Sequence, residues 1–96
     1  MFFIATCVDK PKSVEKRKGN RPAHLAYLNG LGARVKTVVA LLGPDHQTPV
    51  GSMIMFEGES EDDILALLAR DPYSMAGLFE SVSVKPCRQA VGQAFA

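Results

Sequence analysis

Two strand-like segments near the middle of the chain are separated by one short loop, and this arrangement limits the folds open to the sequence. Residues 34–42 are rich in valine and leucine, and residues 50–57 alternate with the period of two expected of a strand. Gly43-Pro44 ends the first segment abruptly, and the loop extends only to Pro49. Adjacent strands joined in this way predict an antiparallel hairpin.

An outer strand and a helix are predicted on each side of this hairpin. The apolar residues 2–8 form the first strand, and the alternating residues 79–86 form the last. The first helix is predicted to start at Arg21-Pro22, because the residue before a proline avoids the helical region. The second is predicted to start at Ser60, whose capping box has an acidic first turn, and to end at Asp71-Pro72.

The resulting order β-α-β-β-α-β predicts a ferredoxin-like α+β sandwich. Its four-stranded antiparallel sheet has the order 4-1-3-2, with both helices on one face. We expect residues 1–96 to form a single domain with residues 87–96 as a C-terminal tail, which is either a loose extension or an arm that seeks a partner. The other sheet face is left open, and Met53 or Met55 on it would favour a homodimer with the sheets face to face.

Charge and composition exclude several classes of protein. The formal net charge is +1, so no global field favours nucleic acid or an acidic membrane. No apolar run approaches the length of a membrane span, and a cytoplasmic protein is the expectation. The two cysteines, Cys7 and Cys87, form neither a disulfide framework nor a zinc site, and we expect free thiols at opposite edges of the sheet. No cofactor is expected.

The basic stretch Lys12 to Asn20 leaves two interpretations open. It is either a short, mostly exposed helix or a mobile loop. Its role is either that of a solvated face or that of a lid or flap that attracts anions.

The predicted topology brings four separated segments to one rim of the sandwich. His24 lies near the start of the first helix, on the face that carries the core leucines, and Asp71 lies at the end of the second. We predict that these two side chains form the catalytic pair of a cleft. The residues expected to bind a ligand beside them are Arg21, Ser52, Tyr73, Gly43 and Pro44.

A histidine and a carboxylate in contact suit proton transfer. The carboxylate fixes the tautomer of the imidazole and leaves the other nitrogen to move a proton. Ser52, Tyr73 and Arg21 would orient an anionic oxygen. A metal site built from His24 and Asp71 alone lacks ligands, and His46 adds one only if its loop folds inward. The residues alone equally allow a structural His-Asp pair in a capping network.

Several short motifs, in order along nearly the whole chain, resemble the YciI-like (YCII-related) family. They are Glu15-Lys16-Arg17, Arg21-Pro22-Ala23-His24-Leu25, Gly43-Pro44, Gly51-Ser52, Asp71-Pro72-Tyr73 with Ala76-Gly77, and Val82-Ser83-Val84-Lys85-Pro86. The resemblance implies a dimeric α+β barrel with a His-Asp pair in a cleft, which by position is His24 and Asp71. The family is also similar to muconolactone isomerase-type barrels, and some related domains take part in the breakdown of chlorinated aromatic rings. The short loop after Gly43-Pro44 and the longer tail depart from the family pattern, so the substrate does not carry over.

The expected function is that of a small lyase or isomerase in which His24 is the general base and the substrate is a small anionic or aromatic molecule. The alternative is a dimer that binds a small molecule without turning it over, or an accessory subunit of a pathway enzyme.

Overall fold

The computed structural model describes residues 1–92 and contains four strands and three helices, joined in one place by a short 3₁₀ turn. In chain order they are β1 (Phe2–Asp9), α1 (Val14–Gly30), the 3₁₀ turn Gly32–Arg34, β2 (Val35–Leu42), β3 (Pro49–Glu57), α2 (Glu61–Ala69), α3 (Pro72–Met75) and β4 (Phe79–Cys87). The four predicted strands each agree with the structure to within one residue at either end.

The strands form one antiparallel sheet in the order β2-β3-β1-β4, which confirms the predicted order read from the other edge. Residues that pair across β1 and β3 share a face, as in Ala5 with Ile54 and Thr6 with Met53. The first of these pairs is fully buried and the second lies on the opposite side of the sheet. The sheet therefore has one face covered by helices and one open face.

The core lies between the sheet and the helices. Alternate residues of β1 and β3 supply its floor, and leucines and an isoleucine of the two long helices cover it. The buried cluster comprises Phe3, Ala5, Cys7, Leu28, Ile54, Phe56, Ile64, Leu67 and Leu68. Burying a leucine, isoleucine or phenylalanine side chain contributes about 1.5–3 kcal/mol relative to exposure, and this is the main term that holds the helices on the sheet.

The first helix starts earlier than predicted. It begins at Val14 inside the basic stretch and runs through Pro22, so the prediction that it starts at Arg21-Pro22 is wrong. A proline in a helix interior costs about 3 kcal/mol, and local signals alone favour a break there. Tertiary contacts offset this cost, because Arg17, in the second turn, is buried and hydrogen-bonded to the sheet. The rest of the basic stretch is largely exposed helix, which confirms the helix alternative and makes the mobile-loop alternative wrong.

The end of the second helix also differs in detail. Helix α2 begins after Ser60, whose side chain accepts the Asp63 backbone N–H as the capping box predicts, and it ends at Ala69. A separate single turn, α3, follows after Asp71, so this residue caps the start of a new helix. His24 likewise lies in the C-terminal half of α1, not at its start.

The structure also bears on the predictions about the two cysteines, membrane spans and the C-terminal tail. Cys7 is buried opposite Val82, and Cys87 pairs with Phe2 at the far end of β1, so the two free thiols are well separated. No helix in residues 1–92 combines the length and the apolar character needed to cross a membrane. The predicted C-terminal tail begins inside β4, and residues 93–96 of it lie outside the described part of the chain.

Candidate active site

His24 and Asp71 contact each other in the interior, 47 positions apart in sequence. The Nδ1 atom of His24 lies 2.8 Å from both carboxylate oxygens of Asp71. Asp71 is held in place by its capping role, since its Oδ1 accepts the backbone N–H of Tyr73 at 2.9 Å. His24 is 3% exposed and Asp71 is completely buried. The sequence prediction that these two side chains meet at one rim agrees with this geometry.

The partners of Asp71 favour one position for the imidazole proton. The Asp71 side chain already accepts the Tyr73 N–H, and we assign His24 the tautomer in which its Nδ1–H donates to the same carboxylate. Nε2 then carries the lone pair and finds no partner among residues 1–92. Within that part of the chain every completely enclosed side-chain nitrogen or oxygen has a hydrogen-bond partner. Nε2 is therefore reached from the adjoining cavity and can accept a proton there.

Tyr73 packs flat against the imidazole. The two ring centroids are 3.8 Å apart with an interplanar angle of 13°, and Phe79 contacts the tyrosine edge-on at 6.0 Å. These ring contacts fix the plane of the His24 imidazole. The hydrogen bond to Asp71 fixes the orientation of the imidazole within that plane. Tyr73 is 1% exposed, and burial raises the pKa of its hydroxyl above the ordinary value. Among the described residues that hydroxyl has no hydrogen-bond partner, so it too opens on the cavity.

A second buried acid–base pair lies beside the first, and the sequence prediction missed it. Nη1 of Arg17 donates to both oxygens of Asp9 at 3.2 Å, and Nη2 donates to the backbone oxygen of Gly51 at 2.8 Å and to Oγ of Ser52 at 2.6 Å. The Arg17 guanidinium also lies 4.8 Å from the centre of the Tyr73 ring, which is cation–π distance. Burial raises the pKa of Asp9 and outweighs the opposing effect of Arg17.

Sequence spacing contained a signal for this pair. Asp9 continues the buried alternation of Ala5 and Cys7 along β1, and Arg17 precedes His24 by seven residues on one helix face. The predicted first strand stops at residue 8, one position before Asp9, and Arg17 lies within the basic stretch for which a solvated face is one of the two predicted roles.

These groups surround a cavity of about 290 Å³ between α1 and the β2–β3 side of the sheet. Four of its lining side chains are basic or imidazole, namely Arg17, Lys18, Arg21 and His24, and no carboxylate of the described residues lines it. The remaining walls are mostly apolar. Such a hollow suits a molecule of about one ring that carries negative charge on part of its surface.

The structure brings most of the predicted ligand-binding residues together. Arg21, Ser52 and Tyr73 line the cavity with His24, and Asp71 lies behind the imidazole. Gly43 and Pro44 do not line it, because they form the hairpin turn in which the Gly43 N–H donates to the Thr48 backbone oxygen at 2.9 Å. Both residues lie past the end of β2 in this turn.

His46 does not join the site. It lies exposed in the same hairpin turn, with a left-handed backbone angle φ of 62°. Within residues 1–92 no group of three or more histidine, cysteine or acidic side chains is arranged to hold a metal ion.

Comparison with known proteins shows the family of this chain. Residues 1–88 match the YCII-related domain. The chain belongs to the YCII-related family. It is 38% identical to the Escherichia coli O6:H1 protein YciI over 93% of this chain and 98% of that one, and 31% identical to an uncharacterized Haemophilus influenzae protein with the same coverage.

A solved structure of a similar protein has the same fold. It is 5-chloro-2-hydroxyhydroquinone dehydrochlorinase (TftG) from Burkholderia phenoliruptrix AC1100, in complex with 2,5-dihydroxybenzoquinone. The two chains superpose with a TM-score of 0.84 at 32% identity, over 94% of this chain and 96% of that one. The family resemblance seen in the sequence is confirmed. The TftG neighbour shows that an enzyme acting on a small molecule has the same fold.

Proposed function

We propose that the cavity is the active site of a small enzyme of the lyase or isomerase type, in which His24 Nε2 removes a proton from a small anionic or aromatic molecule. The observation that supports this most is the state of that nitrogen. A buried imidazole is fixed by Asp71 at Nδ1 and by Tyr73 on its face, while Nε2 opens on the cavity without a partner in the described residues. A group that is oriented on two sides and open on the third has the arrangement of a general base.

The surroundings of the base favour an anionic ligand. Lys18 and Arg21 lie on the helix that forms one wall, and both carboxylates near the cavity are engaged, Asp71 with His24 and Asp9 with Arg17. Negative charge that develops on the ligand when a proton leaves would be stabilised by these cations and by the Tyr73 hydroxyl. The TftG neighbour is named for a single hydroxylated ring, a class of molecule whose size suits this cavity.

We further propose that the protein works as a homodimer joined through the open sheet face. Ile4 pairs with Met55 on that face and Thr6 with Met53, and Ile4 and the two methionines are only half-buried in the single chain. An apolar patch of this kind on a sheet is usually covered by a partner. Sedimentation at micromolar concentration should give the dimer mass, and Met55→Lys should give monomers. A monomeric native protein would contradict this part of the proposal.

Hydrogen exchange at carbon tests for proton removal whatever reaction follows it. The protein is incubated in D₂O with 2,5-dihydroxybenzoquinone and a panel of small phenols and enolisable carboxylic acids, and the loss of C–H signal is followed by NMR. We expect the native protein to accelerate exchange in at least one compound. His24→Gln keeps a donor for Asp71 but removes the base, and should slow exchange by about 10²–10⁴-fold while the affinity changes little.

The other histidine provides the matched control. His46→Asn retains a residue that tolerates the left-handed backbone and should leave exchange unchanged. Binding of panel members without any exchange that depends on His24 would contradict the enzymatic proposal. It would indicate a dimer that holds a ligand without turning it over.

A further inference from the structure

A second hollow continues the cavity between α1 and β2. It has a volume of about 420 Å³ and reaches Gly32 in the 3₁₀ turn that joins the two elements. Leu25 and Val38 line both hollows, so the passage from one to the other lies between these two side chains. We call the second hollow the α1–β2 groove, and its lining residues are Leu25, Leu28, Asn29, Gly32, Val35 and Val38.

The exposure of Val38 is unusual for its position in the sheet. Val38 pairs with the fully buried Ile54 of β3, so its side chain lies on the face that the helices cover. It is nevertheless 36% exposed, and the buried core cluster of residues 1–92 contains no residue of β2. Helix α1 therefore leaves apolar surface of this edge strand open on the covered side of the sheet.

The groove differs from the cavity in its chemistry. The cavity contains the imidazole of His24 and three basic side chains, whereas no charged side chain of the described residues lines the groove. Leucine and valine form most of its walls, and Asn29 is the one polar side chain that the described part of the chain contributes to it. A surface of this kind gains free energy by contact with hydrocarbon and offers a charged group no partner.

The homodimer proposed above does not fill this groove. Its interface is the open sheet face, which lies on the other side of β2, where Thr37 pairs with Met55. Continuity with the cavity favours an occupant that enters together with the substrate, because the passage begins at Leu25, the residue next to His24.

We infer that the α1–β2 groove binds a hydrocarbon chain of the substrate, whose polar head lies in the cavity at His24. This inference rests on the proposed function for the identity of the cavity as the active site. It narrows the substrate class to amphipathic molecules, with the acidic C–H and the negative charge at one end and the chain at the other. Each methylene that enters the groove should tighten binding by up to about fourfold.

Calorimetry with a homologous series tests for the groove. The probes are 2,5-dihydroxybenzoquinone and its 3-propyl, 3-pentyl and 3-heptyl derivatives. We expect the native protein to bind the pentyl derivative about thirtyfold or more tightly than the parent compound, because several methylenes leave water. The ratio of these two affinities is the quantity compared between variants.

Two substitutions at Val38 test the passage. Val38→Trp fills it and should bring the pentyl-to-parent ratio close to one. Val38→Thr keeps a β-branched side chain that suits a strand but adds a hydroxyl that a bound chain would bury, so the ratio should fall by about three- to tenfold without disturbing the fold. Val82→Trp is the matched control and should keep the native ratio, because Val82 is 40% exposed on the covered face of the opposite edge strand, β4.

Nuclear Overhauser contacts of the bound pentyl derivative locate the chain directly. Its terminal methyl group should contact the methyl groups of Leu28 and Val35, which line the groove beyond the passage. Contacts with Met53 or Met55 would place the chain on the open sheet face and would overturn the inference.

The outcomes separate this inference from the proposed function. A native protein that binds the parent compound without a gain from the chain, or a gain that survives both Val38 variants, overturns the inference alone. A gain that depends on Val38, in a protein that exchanges no C–H of any derivative, overturns the enzymatic proposal alone. Failure of the native protein to bind any member of the series at millimolar concentration overturns both.

Discussion

At the end of the sheet where β1 finishes, the acid–base pairs Arg17–Asp9 and His24–Asp71 are buried, with side chains at most 8% exposed. At the other end, the Arg34–Asp63 pair remains in contact with water, with side chains 42% and 30% exposed. Exposed pairs of that kind contribute little to stability. Buried pairs carry a desolvation cost that apolar residues of similar size would avoid.

Carboxyl groups at the two ends respond in opposite directions. Burial raises the pKa of Asp9 above 3.8 despite its arginine, whereas the pKa of Asp63 is lowered by the Glu59 backbone N–H and then by Arg34. At the cavity end, burial therefore opposes the ionisation of Asp9. At the far end, hydrogen bonds to a solvent-exposed carboxylate favour the ionisation of Asp63. Two costly pairs beside one cavity support the proposal that the cavity is a functional site.

The largest expected effect comes from breaking the Arg17 pair. Arg17→Met leaves Asp9 buried without a partner and should lower the free energy of unfolding by about 3–5 kcal/mol, measured by urea denaturation. Arg34→Met at the exposed end is the matched control and should shift the midpoint only slightly. Asp9→Leu combined with Arg17→Met should recover most of the loss. Equal destabilisation by the two single arginine variants would contradict the comparison.

Asp71→Asn should affect turnover more than folding. The amide oxygen still accepts the Tyr73 N–H, so the cap of α3 survives. Its NH₂ group donates to His24, which reverses the tautomer and places a proton on Nε2. We expect C–H exchange to fall by at least about a hundredfold with a small change in melting temperature. A variant that unfolds while exchange per folded molecule is unchanged would assign the pair a structural role.

The two cysteines should differ in reactivity, because one is buried at the cavity end and the other is partly exposed at the far end. Burial raises the pKa of Cys7 to about 12, with a further contribution from Asp71, and Cys87 at the far end is partly exposed. Since the thiolate is the reactive form, iodoacetamide at pH 8 should label Cys87 and leave Cys7 unlabelled until the protein unfolds. Mass spectrometry of the digested protein locates the label. Rapid labelling of Cys7 in the native state would show that the cavity end opens readily.

The smallest effect concerns acid stability. A folded-state pKa below the unfolded value means that Asp63 stabilises the protein above pH 3.8 and that this contribution is lost as the pH falls further. Asp9 has the opposite sign, so its contribution improves as the pH falls from neutral through its raised pKa. Asp63→Asn should flatten the acid limb of stability against pH, and Asp9→Asn should not. A steeper limb in Asp63→Asn would reverse this assignment.

Local patterns predicted the fold well, because strand alternation, the short hairpin loop and the Ser60 cap all act over a few residues. They also predicted that His24 and Asp71 meet, although His24 lies in the C-terminal half of α1 and not at its start. They failed at Pro22, where contacts of Arg17 with Ser52 across the fold outweigh a local helix-breaking signal. The Arg17–Asp9 pair was missed for the same reason, since burial of a charge depends on partners far apart in sequence.

The tautomer of His24 tests the central claim most directly. Nitrogen-15 NMR, at a pH where the ring is neutral, distinguishes the two protonation sites, and exposed His46 serves as an internal reference. We predict a proton on Nδ1 and an unprotonated Nε2 whose resonance moves when 2,5-dihydroxybenzoquinone binds, while Nδ1–H stays with Asp71. A proton on Nε2, or an Nε2 resonance that is unchanged with the probe bound, would contradict the assignment of His24 as the base.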